Sequence, residues 1–110
     1  MTYNEIATMI ESIGLPFAYY QFERNKPVDP PYIIFWYPGS DDFPADNKNY
    51  QHIEELDIEL YTEHKDFEAE ARIEAALMQA GLFYDRTETF IENEELHRVL
   101  YEMEVTINVR

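Results

Sequence analysis

The sequence predicts an α+β fold: one domain over residues 1–110, with an antiparallel or mixed β-sheet packed by two α-helices in the order α-β-β-β-α-β-β. Three observations carry that expectation. Two short segments repeat their apolar residues at helical spacing. Two longer ones alternate apolar and polar residues with a period of two. Finally, 110 residues with 45% hydrophobic content, nine Tyr, seven Phe and Trp36 are enough for one modest core.

The elements follow in chain order. Thr2 can cap a helix while Glu5 reaches back to the capping amide, and Ile6, Met9, Ile10 and Ile13 follow on one stripe. Gly14 and Pro16 stop it, which predicts a helix over 2–13. Pro16–Phe22 and Tyr32–Tyr37 are aromatic and β-branched runs separated by a turn bearing Pro27, Pro30 and Pro31, and they predict an antiparallel hairpin. Residues 38–50, rich in Pro, Gly, Asp and Asn, predict a long exposed loop. A strand over Tyr50–Thr62 places Leu56, Ile58 and Leu60 on one side and Glu55, Asp57 and Glu59 on the other. Asp66 caps a second helix with Ala69, Ile73, Ala76 and Leu77 as its apolar stripe, a Glu68–Arg72 pair across one turn, and Gly81 as its stop. Leu82–Phe90 then predicts a strand that turns through residues 91–95 into a last, unusually long one. There Val99, Tyr101, Met103, Val105, Ile107 and Val109 alternate with Leu100, Glu102, Glu104, Thr106 and Asn108. No internal repeat and no low-complexity tract interrupts this order.

The charge bounds the partners. With 23 Asp and Glu against 8 Lys and Arg, the net charge is −15, which opposes binding to DNA or to an anionic membrane because nucleic-acid affinity comes mostly from cations that displace counterions. The composition favours solubility, a basic protein partner or a divalent cation. The absence of cysteine excludes disulfides, thiolate catalysis and cysteine-ligated zinc. No run approaches the roughly 18 apolar residues of a membrane span, and the first residues show neither a basic patch nor an apolar signal core, so the chain is expected to stay in the compartment where it is made.

Chemistry finds little purchase. Of the two serines, Ser12 lies in a predicted helix and Ser40 lacks the glycine frame of a nucleophile elbow, so no catalytic residue is assigned. His52, His64 and His97 show no paired metal-ligand spacing and read as surface residues. Asp41, Asp42 and Asp46 do not match a calcium-binding loop. The expectation is a protein with no cofactor, no metal and no enzymatic activity. Glu55, Asp57 and Glu59 read as a solvated sheet face, or as the lining of a bore if subunits close into a ring.

The element order, together with Pro30–Tyr50, ELDIELYT (55–62), KDFEAEARIEAAL (65–77) and GLFYDRTETFIENEEL (81–96), resembles the tail-completion or tail-terminator proteins of siphophages and prophages of Gram-positive bacteria. The resemblance covers nearly the whole chain and includes no catalytic motif. It implies a tail-terminator-like domain that assembles as a homo-oligomeric, typically hexameric, ring at the head–tail junction of a virion built in the host cytoplasm. The ring would cap the tail tube, end its polymerisation and help join tail to head. Its partners would be the tail-tube protein and a head-side connector, with DNA passing through the lumen unbound. Under that reading, the loop Gly39–Asn49 and the long last strand are candidate contacts to neighbours, and Asp41, Asp42, Phe43, Asp46 and Tyr50 are the candidate interaction residues. In the alternative for Phe43, the ring folds back onto its own sheet. Two other functions remain open: a small acidic inhibitor that mimics DNA, and, ranked last, an enzyme.

Overall fold

The computed structural model describes residues 1–40, 43–44 and 50–108. Helix α1 (Tyr3–Ser12) opens with the predicted reciprocal cap: the Thr2 hydroxyl accepts from the Glu5 amide, and the Glu5 carboxylate accepts from the Thr2 amide. Gly14 ends it in the left-handed region (φ 86°), where a side chain would be strained and would also collide with the Arg72 guanidinium. Strands β1 (Phe17–Tyr19) and β2 (Tyr32–Trp36) follow. Next comes a two-residue β3 (Phe43–Pro44), then the long β4 (Tyr50–Thr62). Helix α2 (Phe67–Gln79) is capped by the Asp66 carboxylate, which accepts from the Ala69 amide at 3.0 Å. After Gly81 (φ 73°), β5 (Asp85–Ile91) turns through a 3-10 segment closed by left-handed Glu95 into β6 (Leu96–Ile107).

The sheet order is β1-β2-β4-β6-β5, with β3 paired to β4. Its centre is the antiparallel β4–β6 ladder, which runs from His52↔Ile107 to Thr62↔His97. Both helices cover one face. Ile6 and Ile10 of α1 and Ile73 and Leu77 of α2 close over Ile33, Phe35, Leu56, Ile58, Leu60, Val99, Tyr101 and Val105, all in one buried cluster. Removing each large apolar side chain from water contributes about 1.5–3 kcal/mol, so this face dominates the stability.

Four expectations are corrected. β1 and β2 do not form a hairpin: they pair parallel, Phe17↔Ile33 to Tyr19↔Phe35, because residues 20–31 carry the chain back before β2 begins. Tyr20 leaves β1 in the left-handed region (φ 69°), and its ring and that of Phe22 pack edge-on against Trp36 and Tyr32 on the other side of the sheet. The segment after β2 is not wholly loop. Glu55 donates its amide to the Gly39 carbonyl at 2.8 Å, Ser40 bridges Glu54, and Phe43–Pro44 pairs with Tyr50–Gln51, so the chain doubles back along β4. Arg72 does not pair with Glu68; its guanidinium donates to the Ile13 carbonyl at the end of α1 and ties the helices together. Finally, the long last strand is interior over Leu96–Glu102, where it lies between β4 and β5, and only Met103–Ile107 run on past β5.

Candidate functional site

Register places the acids that the sequence left scattered. Across the open face of the sheet, Trp36, Asp57, Glu102 and Asp85 form one row through β2, β4, β6 and β5. Glu55 faces Glu104 in the adjoining row. Like charges directly opposite on neighbouring strands repel. Burial, and then Glu102, Glu59 and Glu55, accordingly raise the Asp57 carboxyl above its ordinary value, against a smaller opposing pull from Arg98. Glu55, Asp57, Asp85, Glu102 and Glu104, with Pro38 at one side, line an open cleft of about 560 Å³. Glu59 stands apart from this row because it accepts from the Trp36 indole at 2.9 Å and from the Tyr61 hydroxyl at 2.6 Å.

Near the β5 end of the helix-covered face lies a different cluster. Glu70, on α2, is buried; it accepts from Lys65 and Arg86, each at 2.9 Å. Lys65 also donates to Glu88, and Arg86 lies 3.3 Å from Glu74, which accepts from the Tyr101 hydroxyl at 2.8 Å. Burial first, and then the bond to Glu74, push the Tyr101 hydroxyl well above the ordinary tyrosine value. The ligand atoms of Glu70, Glu88 and His97 lie within 4.8 Å of one another, a set with the right chemistry for a divalent cation. The Lys65 ammonium already bridges Glu70 and Glu88 there, so the arrangement is accounted for as an ion-pair network.

The predicted interaction residues divide. Asp41, Asp42 and Asp46 lie outside the described residues. Phe43 and Tyr50 lie in the β3–β4 pair, opposite Gln51 and Pro44. Of the histidines, His64 is exposed as expected, whereas His52 and His97 are half-buried, 3.5 Å from Glu54 and Glu88. The open-face row was only half legible. Glu55 and Asp57 were recognisable as one face of a strand, and Glu102 and Glu104 shared the same period, but nothing local makes β4 and β6 neighbours. Asp85, at the start of β5, carried no signal of its own.

Among the described residues, no helix is long and apolar enough to cross a membrane. No protein-family model matches the chain, and no curated protein matches it in sequence. Among solved structures, the chain is similar to one from the virion of a native gene transfer agent particle. The TM-score is 0.58 at 15% identity, over 92% of this chain and 84% of that one, a likeness of fold along nearly the whole length.

Proposed function

We propose that the protein is a virion structural component that caps the tail tube, ends its polymerisation and helps join tail to head as a ring, with no enzymatic activity. The observation that carries this reading is the likeness of fold, over 92% of the chain, to a chain of a gene-transfer-agent virion. The sequence resemblance to tail-completion proteins points the same way. In such a ring the acidic row of Asp57, Glu102 and Asp85 lines the bore, where negative charge lets DNA pass without adhering. Phe43 and Tyr50, on the paired strands β3 and β4, are the candidate contacts to the tube protein or the connector. The test is to add the protein to tail tubes and image them by negative stain. Caps at one end of each tube are expected; tubes with bare ends at saturating protein overturn the reading.

One observation favours a second reading. The DNA-mimic hypothesis needs carboxylates gathered on one exposed face, and Glu55, Asp57, Asp85, Glu102 and Glu104 share the open side of the sheet. A pull-down that returns a basic, DNA-binding enzyme, abolished by Asp57→Lys with Glu102→Lys, would establish it in place of the first.

A further inference from the structure

β5 is the outermost strand at one end of the sheet, and every residue from Asp85 to Phe90 is exposed. Which of its backbone groups are free follows from the ladder. Ile33 donates to the Pro16 carbonyl at 2.8 Å, so odd residues of β2 address β1 and even ones address β4. Carried through the registers, this makes the odd residues of β6 address β4 and the even ones address the β5 side. Met1 confirms it independently: its amine donates to the Thr106 carbonyl, and Asn108 donates to the Met1 carbonyl, on that same side. Asp85, Thr87, Thr89 and Ile91, opposite Glu102, Leu100, Arg98 and Leu96, therefore bond to β6. The N–H and C=O groups of Arg86, Glu88 and Phe90 point outward. Natural edges are usually guarded by charged side chains, proline or a bulge; residues 85–91 contain no proline, and their charges, Asp85, Arg86 and Glu88, are of both signs and can complement a second copy of the strand.

We infer that this edge is a self-docking site, at which β5 pairs antiparallel with β5 of a second copy of the chain about a two-fold axis at Thr87. In that register Arg86, which already meets Glu70 and Glu74 of its own chain, lies opposite Glu88 of the partner subunit, so the two intrachain ion-pair networks join across the seam, and by symmetry the contact occurs twice. Both residues belong to the outward-pointing set, so each pair exchanges two backbone hydrogen bonds as well as opposite charge. Continued outward, the same register sets Tyr84 against Phe90 of the partner subunit and Phe83 against Ile91 of the partner subunit. Phe83 is 94% exposed and Phe90 55% exposed, so the pairing covers apolar surface that the single chain leaves in water. Phe67 and Met78, also exposed, share a helical stripe of α2 with Glu74, whose contact with Arg86 turns that stripe toward β5 and extends the apolar margin. A register centred one residue later would oppose Glu88 to its own copy, a like-charge pair that is disfavoured. The charge and aromatic complementarity of the strand with itself is what selects a second copy as the occupant. The inference stands independently of the virion reading.

The chain contains no cysteine, so a single introduced thiol can form a disulfide only between two copies. In an antiparallel ladder, Thr87 and its copy form a non-hydrogen-bonded pair with Cα atoms about 4.5 Å apart, within the range of about 4.4–6.8 Å that a disulfide spans. Under mild oxidation Thr87→Cys should convert to covalent dimer at least about tenfold faster than Thr89→Cys, whose thiol would face Asp85 of the partner subunit rather than its own copy. Light scattering of the unmodified chain over a concentration series should approach twice the chain mass, and Phe83→Asp, at a site with no packing to lose, should return it to monomer with an unchanged circular dichroism spectrum. Equal cross-linking rates for the two cysteine variants, or a single-chain mass at every concentration, would overturn the inference. Tube caps formed by a protein that fails both tests would leave the proposed function standing and remove only this pairing.

Discussion

The two faces of the sheet are written in the same period-two code and do opposite work. On β4 and β6 the residues beneath the helices are Leu56, Ile58, Leu60, Val99, Tyr101 and Val105, each essentially inaccessible to water. One position along in each strand stand Asp57, Glu59, Leu100, Glu102 and Glu104, on the side that no helix covers. The covered face carries the stability. The open face carries a row of like charges that costs stability, which makes sense for a surface shaped by what it meets or repels. A fold can tolerate that cost where its core lies wholly on the other side.

Substitutions should separate the faces by size of effect. Ile58→Ala or Leu77→Ala, each creating a cavity in the core, should lower the unfolding free energy by about 2–5 kcal/mol in urea titrations; a loss under about 1 kcal/mol would contradict the placement of the core. Glu70→Ala, which leaves Lys65 and Arg86 without their shared buried acceptor, should cost less, about 1–3 kcal/mol, because both cations are partly exposed and can turn to water. Asp66→Ala should cost about 1 kcal/mol through loss of the α2 cap.

The open face should respond with the opposite sign, and weakly. Because the Asp57 carboxyl is held above its ordinary 3.8, the folded protein binds that proton more tightly than the unfolded chain does. Its favourable contribution is present at low pH and is lost as pH rises from 3.8 through the folded value. Asp57→Asn should thus match the parent near the acid end and be more stable at neutral pH, by under about 1 kcal/mol. A destabilised Asp57→Asn at pH 7 would contradict self-repulsion within the row. Glu88 works the other way, since the hydrogen bond from Lys65 holds its carboxyl below the usual 4.5. Its contribution is present above 4.5 and fades as pH falls through the folded value, so Glu88→Gln should be the less stable chain at neutral pH and should converge on the parent in acid.

The elements whose signals are local were readable from the residues alone. Thr2 with Glu5, Asp66, Gly14 and Gly81 set the ends of both helices, and strict alternation set β4 and β6, because capping and period depend only on residues a few positions apart. Which strands and helices become neighbours emerged only in the folded chain. That β1 runs parallel to β2, that β6 is central and β5 the edge, and that Arg72 reaches the end of α1 all depend on partners far along the chain. The candidate site was lost for the same reason: Asp57, Asp85 and Glu102 become one row only when three strands, distant in sequence, take adjacent places. Strand pairing is decided by which arrangement buries the apolar faces together, a property of the whole core that no single segment states.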